Sequence, residues 1–190
     1  ESLVRRYDHE VQAHTQVQPF HGAQGDAPSD GAVIRPVPGS TRGLTVTHGV
    51  CPRTGDDDAY KMAVLAFDEA YRSHIALGGN PDKASALDNF CWPDPVEGPD
   101  NPDGQYKMAQ LVRANFGLRD ACKAYNVPLV SGKDSMKNDA RVGGKKISVR
   151  PTLLVSMMGI VDDARYVPKS GLSKAGLKVV ILGQVQKRLG

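Results

Sequence analysis

The sequence predicts an α+β architecture: a mostly antiparallel sheet with two helices on one face. Three observations carry this. Two stretches, 59–77 and 105–125, repeat apolar residues at three- and four-residue spacing. Short β-branched runs of strand length stand before, between and after them. Their order (strand, strand, helix, strand, helix, strand, strand) is neither strict βα alternation nor all-β. The chain has 190 residues, 40% hydrophobic and 24% charged, enough for one domain with something left over at its ends. Glu1 at the start, and Leu189-Gly190 soon after what looks like a strand, read as cuts through something longer.

Residues 1–31 open with Arg5-Arg6-Tyr7-Asp8-His9-Glu10 and continue into a Gly/Ala/Asp/Ser/Pro stretch with little to bury. They are expected to be a tail or linker from a preceding domain, with order beginning near Ala32. Ala32 to Val37 and Gly43 to Val50, separated by Pro38-Gly39-Ser40, are two expected strands. Asp56-Asp57-Asp58 supplies negative charge at the positive end of the first helix. In that helix Met62, Ala63, Ala66, Phe67, Ala70 and His74 share one arc, with Asp68 and Arg72 opposite, and Gly78-Gly79-Asn80-Pro81 ends it. Lys83 to Phe90 is the third strand, and the polar loop Pro93 to Gly104 is too polar to pack.

Leu111, Ala114, Leu118, Ala121, Cys122 and Tyr125 form the stripe of the second helix, and Val127 to Val130 a short buried strand. Lys146 to Val161 contains a long strand started or broken by Pro151. Leu177 to Gly183 is expected to be a further buried strand, the first of a following domain. The expected division is thus 1–31, 32–168 and 169–190.

Composition excludes several classes. No run of about 18 apolar residues spans a membrane, and no basic-then-apolar leader marks secretion. Cys51, Cys91 and Cys122 form no C-x-x-C pair, which speaks for reduced cytoplasmic thiols over a disulfide framework or zinc knuckle. The five histidines have no metal-site spacing, and no nucleophile elbow is present. From Lys133 onward twelve Lys/Arg face four Asp/Glu, a net of +8, whereas 1–132 hold twelve against seventeen, a net of −5. Either two solvated faces or a basic rim for a phosphate-bearing ligand would produce this; nucleic-acid binding lacks interleaved aromatics.

Two segments could carry chemistry. Ser131-Gly132-Lys133-Asp134-Ser135 offers backbone N–H groups, an ammonium and hydroxyls to a phosphate, although Val127 stands where a P-loop needs glycine. Asp88-Asn89 sits at the carboxyl end of a strand, where α/β proteins often meet ligands. The plain alternatives are a strand-to-turn and an Asx-capped turn. What raises both is that two strands flanking one helix would bring their loops to the same sheet edge.

Taken in order, Arg-Arg-Tyr-Asp-His-Glu-Val-Gln (5–12), Gly-Leu-Thr-Val-Thr-His-Gly (43–49), Ala-Leu-Asp-Asn-Phe-Cys-Trp-Pro-Asp-Pro (86–95) and Val-Ser-Gly-Lys-Asp-Ser-Met (130–136) resemble phosphoribosylformylglycinamidine synthase across nearly the whole chain. The resemblance implies an internal piece of an ATP-dependent ligase of purine biosynthesis: a domain of the aminoimidazole-ribonucleotide-synthetase N-terminal type and the first strand of the next. That enzyme converts the amide of formylglycinamide ribonucleotide to an amidine with ammonia from glutamine. The resemblance implies ATP contacts at Asp88, Asn89, Gly132 and Lys133, a substrate contact at Ser135, and Mg²⁺ as cofactor. Shorter family members carry Asn where Lys133 stands; a protonated lysine cannot ligate metal, so Lys133 is assigned to phosphate and Asp134 to the metal. Glu69 matches a metal-associated acid of the longer members, but Ser73 replaces the Asn one turn later. The family's catalytic histidine and glutaminase lie elsewhere, so no catalytic residue is expected here and the segment alone should not turn over.

The expected partners are the remaining domains of such a synthase, including a glutaminase domain or subunit, in the cytoplasm and without nucleic acid or membrane. The isolated segment, with a sheet edge open, is expected to form a homodimer. The competing reading is a non-catalytic scaffold that pairs with its sister domain and holds at most a structural nucleotide.

Overall fold

The computed structural model describes residues 14–22, 24–169, 171–172 and 174–184. The strands and helices, in order, are β1 (Thr15–Val17), β2 (Phe20–His21), β3 (Ala27–Pro28), β4 (Gly31–Ile34), β5 (Gly43–Val50), α1 (Ala59–Ala76), β6 (Ala84–Cys91), α2 (Gly104–Tyr125), β7 (Leu129–Ser135), β8 (Ala140–Val142), β9 (Lys145–Ile147) and β10 (Thr152–Val161). Six strands form one sheet in the order β1-β4-β5-β10-β6-β7. All neighbours pair antiparallel except β6 and β7, which are parallel and joined through α2. The α+β class holds.

Strand alternation gives the sheet a covered and an open face. On β10, Leu153, Val155, Met157 and Val161 are buried beneath the helices while Leu154, Ser156, Met158 and Ile160 face the other way. Asp58 caps α1, its side chain accepting from the Tyr60 N–H at 2.9 Å. All six residues of the expected arc are buried. They meet Ala114, Leu118 and Ala121 of α2 with Phe90, Trp92, Leu153 and Met157 from the sheet side in one core. The two helices touch closely at Gly117, where a β-carbon would stand 2.3 Å from the Tyr60 carbonyl oxygen.

His74 is the polar member of this interior. Its Nε2 lies 3.0 Å from the Asn80 carbonyl, which can only accept, so Nε2 carries a proton; Nδ1 lies 2.6 Å from the Thr45 hydroxyl, which also reaches the Gly159 carbonyl at 3.3 Å. Replacing His74 by alanine is expected to cost about 3 kcal/mol, from the cavity and the two stranded polar groups, read as a lower urea midpoint with an unchanged slope.

The structure differs from the expectations in four places. Strands begin at Thr15, within the expected tail, because β1 pairs with β4 and buries Val17 against Val33, Leu77 and Val161. The segment after α2 is an exposed edge strand, with Val130 68% exposed, and it runs on through the phosphate-binding candidate to Ser135. Its apolar residues reflect strand propensity at an edge, not burial. The hairpin β8–β9, turning at Gly143-Gly144 with both φ positive, escaped notice because its strands are three residues long and polar. Leu177 to Gly183 forms no strand; Leu182 is 94% exposed. A β-branched run expresses its preference only against a partner strand, and the described residues supply none there.

Candidate functional site

Parallel pairing of β6 with β7 sets Asp88 beside Gly132, Asn89 beside Lys133, Phe90 beside Asp134 and Cys91 beside Ser135. The two candidate segments therefore lie side by side at the carboxyl ends of adjacent strands. Because side chains alternate, they divide between the faces. Asn89, Lys133 and Ser135 share the open face, where the Lys133 ammonium donates to the Ser135 hydroxyl. Asp88, Gly132 and Asp134 share the helix side. A ligand touching all of them must wrap around the end of the sheet.

On the helix side two carboxyl groups converge. Asp88 is 9% exposed with Asp134 beside it; burial first, then the charge of Asp134, pushes its carboxyl above the usual range. Gly132 lies so close that a β-carbon there would stand 2.6 Å from Asp88 Oδ1. Glu69 belongs to the same end of the sheet, since Val50 is in register with Leu154 and Leu154 with Asn89. Its Oε2 accepts from the Val50 N–H at 2.7 Å and faces the Cys51 thiol at 3.7 Å, and burial followed by this charge raises the thiol pKa. β5 and β7 are three strand spacings apart, roughly 14 Å. One ion cannot bind both Glu69 and Asp134, and no three His, Cys, Asp or Glu among the described residues are grouped to hold a metal.

The loop after β6 packs, against expectation. The Asn101 amide donates to the carbonyls of Asp94 (2.8 Å) and Val96 (2.6 Å), folding the loop on itself. Its Oδ1 accepts from two ammonium groups, Lys107 and Lys146, each at 2.8 Å. Lys107, 7% exposed, also reaches Asp103 Oδ1 at 2.8 Å and Ser148 Oγ at 3.2 Å. Lys146 meets Asp139 at 3.2 Å. Sequence reasoning missed this hub; Lys107 four residues after Asp103 was its one local sign.

Three cations of the basic end are paired with acids of the preceding part of the chain. Lys137 pairs with Asp94 at 3.7 Å, Arg141 with Asp100 at 2.9 Å and Arg150 with Asp56 at 3.3 Å. These contacts favour paired surfaces over a continuous basic rim, and leave Lys133 as the cation beside the candidate hydroxyl.

The fold has known counterparts. Residues 28–161 match the family described as AIR synthase related protein, N-terminal domain. The chain is 30% identical over 184 residues, 96% of its length, to the phosphoribosylformylglycinamidine synthase subunit PurL of Thermoplasma acidophilum. It is 33% identical over 181 residues, 95% of its length, to that of Deinococcus radiodurans. It spans 22% of the length of both relatives. Among solved structures it resembles PurLQS from Thermotoga maritima, with TM-score 0.66 and 26% identity over 90% of this chain and 25% of that one. T. maritima PurL complexed with AMPPCP gives TM-score 0.62 and 26% identity over 89% and 25%. The antiparallel sheet, its two covering helices and the match over 28–161 together make this chain a member of the AIR synthase related protein N-terminal domain family.

Proposed function

We propose that this chain is a segment of an ATP-dependent carbon–nitrogen ligase, phosphoribosylformylglycinamidine synthase, and contributes contacts to ATP and to formylglycinamide ribonucleotide. The observation carrying this reading is the parallel register that sets Asp88-Asn89 beside Gly132-Lys133 at one sheet end. The overlap with PurL subunits across 96% of the chain supports it, as does the likeness to a PurL complexed with an ATP analogue.

In this reading the amide oxygen of the substrate, a poor leaving group, is phosphorylated by ATP before ammonia derived from glutamine displaces phosphate. The residues of this chain bind and orient. Lys133 neutralises phosphate charge, with Asn89 as a neighbouring hydrogen-bonding group on the same face. Gly132, lacking a side chain, lets ligand approach the backbone beside Asp88. Ser135 holds the substrate by its hydroxyl. The paired carboxyls of Asp88 and Asp134 would suit Mg²⁺, a hard divalent cation that takes carboxylate oxygens and would offset their mutual charge. When bound, such an ion would neutralise phosphate charge. Glu69, across the sheet, would serve a separate cation with Ser73 in place of the second ligand. The catalytic groups and glutaminase reside in other domains or a partner subunit of a cytoplasmic assembly, so the segment alone should show no turnover.

The expected test is Ser135→Ala in the complete synthase. A rise of about tenfold in the substrate KM with unchanged folding supports the contact; unchanged kinetics would favour the scaffold reading. That second reading has its own observation. The open face exposes Val46, Leu87, Val130 and Met158 around a hollow of about 190 Å³, a surface suited to a sister domain or, in the isolated segment, a second copy. The two roles are compatible, since the hollow lies toward the middle of the strands and the polar residues at their ends.

A further inference from the structure

We infer that Asn138, which no sequence motif singled out, is a positioning residue that sets where Ser135 stands. This inference rests on the reading of Ser135 as a substrate contact. β7 is an edge strand, so among the described residues no neighbouring strand holds the far side of Ser135. The chain instead folds back. Lys137 takes φ +57°, a left-handed conformation that non-glycine residues seldom adopt, and this turn returns Asn138 to the end of β6.

There Asn138 makes three contacts. Its backbone N–H donates to the Trp92 carbonyl at 3.0 Å. Its side-chain amide donates to Cys91 Sγ at 3.0 Å, and more weakly to the Ser135 carbonyl at 3.5 Å. That carbonyl also accepts from the Trp92 N–H at 2.9 Å. One amide group thus ties the residue bearing the candidate hydroxyl to its register partner, Cys91. Trp92 is itself anchored in the core, its indole donating to the Lys107 carbonyl at 2.9 Å. Removing the Asn138 amide leaves the core intact but frees the end of β7 to shift. A displacement of about 1 Å in a positioning shell is enough to weaken a contact severely.

The test uses the complete synthase with Asn138→Ala, Asn138→Asp and Asn138→Ser, and measures KM separately for formylglycinamide ribonucleotide and for ATP. Alanine is expected to raise the substrate KM about tenfold with a smaller change for ATP. Aspartate keeps the shape but donates nothing, and is expected to be at least as impaired. Serine keeps a shorter donor and should recover part of the loss.

Substrate KM within twofold of wild type in both the alanine and aspartate variants would overturn the inference. So would both KM values moving equally alongside a lower melting temperature, the mark of a merely structural role. Should alanine not fold, the serine variant decides alone by the same KM split. Ser135→Ala separates the layers: if it raises the substrate KM while the Asn138 variants do not, only the positioning role fails. If it changes nothing, the underlying reading fails.

Discussion

Valine in place of Gly132 is expected to abolish the site's function while leaving the fold standing. The β-carbon alone would lie 2.6 Å from Asp88 Oδ1 and 3.0 Å from the other carboxylate oxygen, so either Asp88 or the edge strand must move. Asp88 is mostly buried and cannot swing away freely, since Asp134 already occupies one side of it. β7 is an edge strand outside the main core, and its residues 129–134 are exposed, so moving it disturbs little packing. The stability loss should be about 1–2 kcal/mol. Activity of the complete synthase should fall by roughly 10²-fold or more, as when a charge-stabilising backbone contact is lost. Activity within tenfold of wild type, with folding confirmed by circular dichroism, would show that ligand does not approach the chain at Gly132.

The second large effect concerns the Asp88–Asp134 pair. The folded state raises the Asp88 pKa above its ordinary 3.8, chiefly by burial and then by the charge of Asp134. The folded protein therefore retains a proton that the unfolded chain has already released. This contribution to stability is fully present below the unfolded pKa of about 4 and is lost as pH rises through the raised folded value. At neutral pH the pair destabilises the cation-free fold, and Asp88→Asn is expected to stabilise it by about 1 kcal/mol.

Mg²⁺ should stabilise the wild type and have little effect on variants that lack either carboxyl group. In millimolar Mg²⁺ the wild-type melting temperature is expected to rise at pH 7.5 and to rise much less at pH 4.5, where protons compete. Asp88→Asn and Asp134→Asn should lose most of the response, and their complete synthases most of their activity. An equal Mg²⁺ response in wild type and both variants would remove the ion from this pair. A loss of response in Glu69→Gln alone would move it across the sheet.

The frame around this pair is visible in the sequence, while the pair itself is not. α1 and α2 were legible almost to the residue, because Asp58, the apolar arc from Met62 to His74 and the stripe through Ala114, Leu118 and Ala121 repeat at helical spacing. β5 was legible over its full length from its β-branched residues. The hairpin β8–β9 and the hub at Asn101 were not. Three-residue polar strands have no period, and a buried ammonium held by an asparagine, an aspartate and a serine leaves no pattern in sequence.

Composition and spacing by themselves determined the class of fold, its two helices, the face each buries and the residue types available to hold phosphate. These are local properties, set by the helical and strand repeat of apolar side chains. Only the tertiary structure decided that β6 and β7 run parallel in a register placing Asp88 at Gly132. It alone divided the candidate residues between two faces and turned the chain at Lys137 to bring Asn138 onto Cys91. Register and return paths depend on contacts between segments more than forty residues apart, which no local repeat encodes.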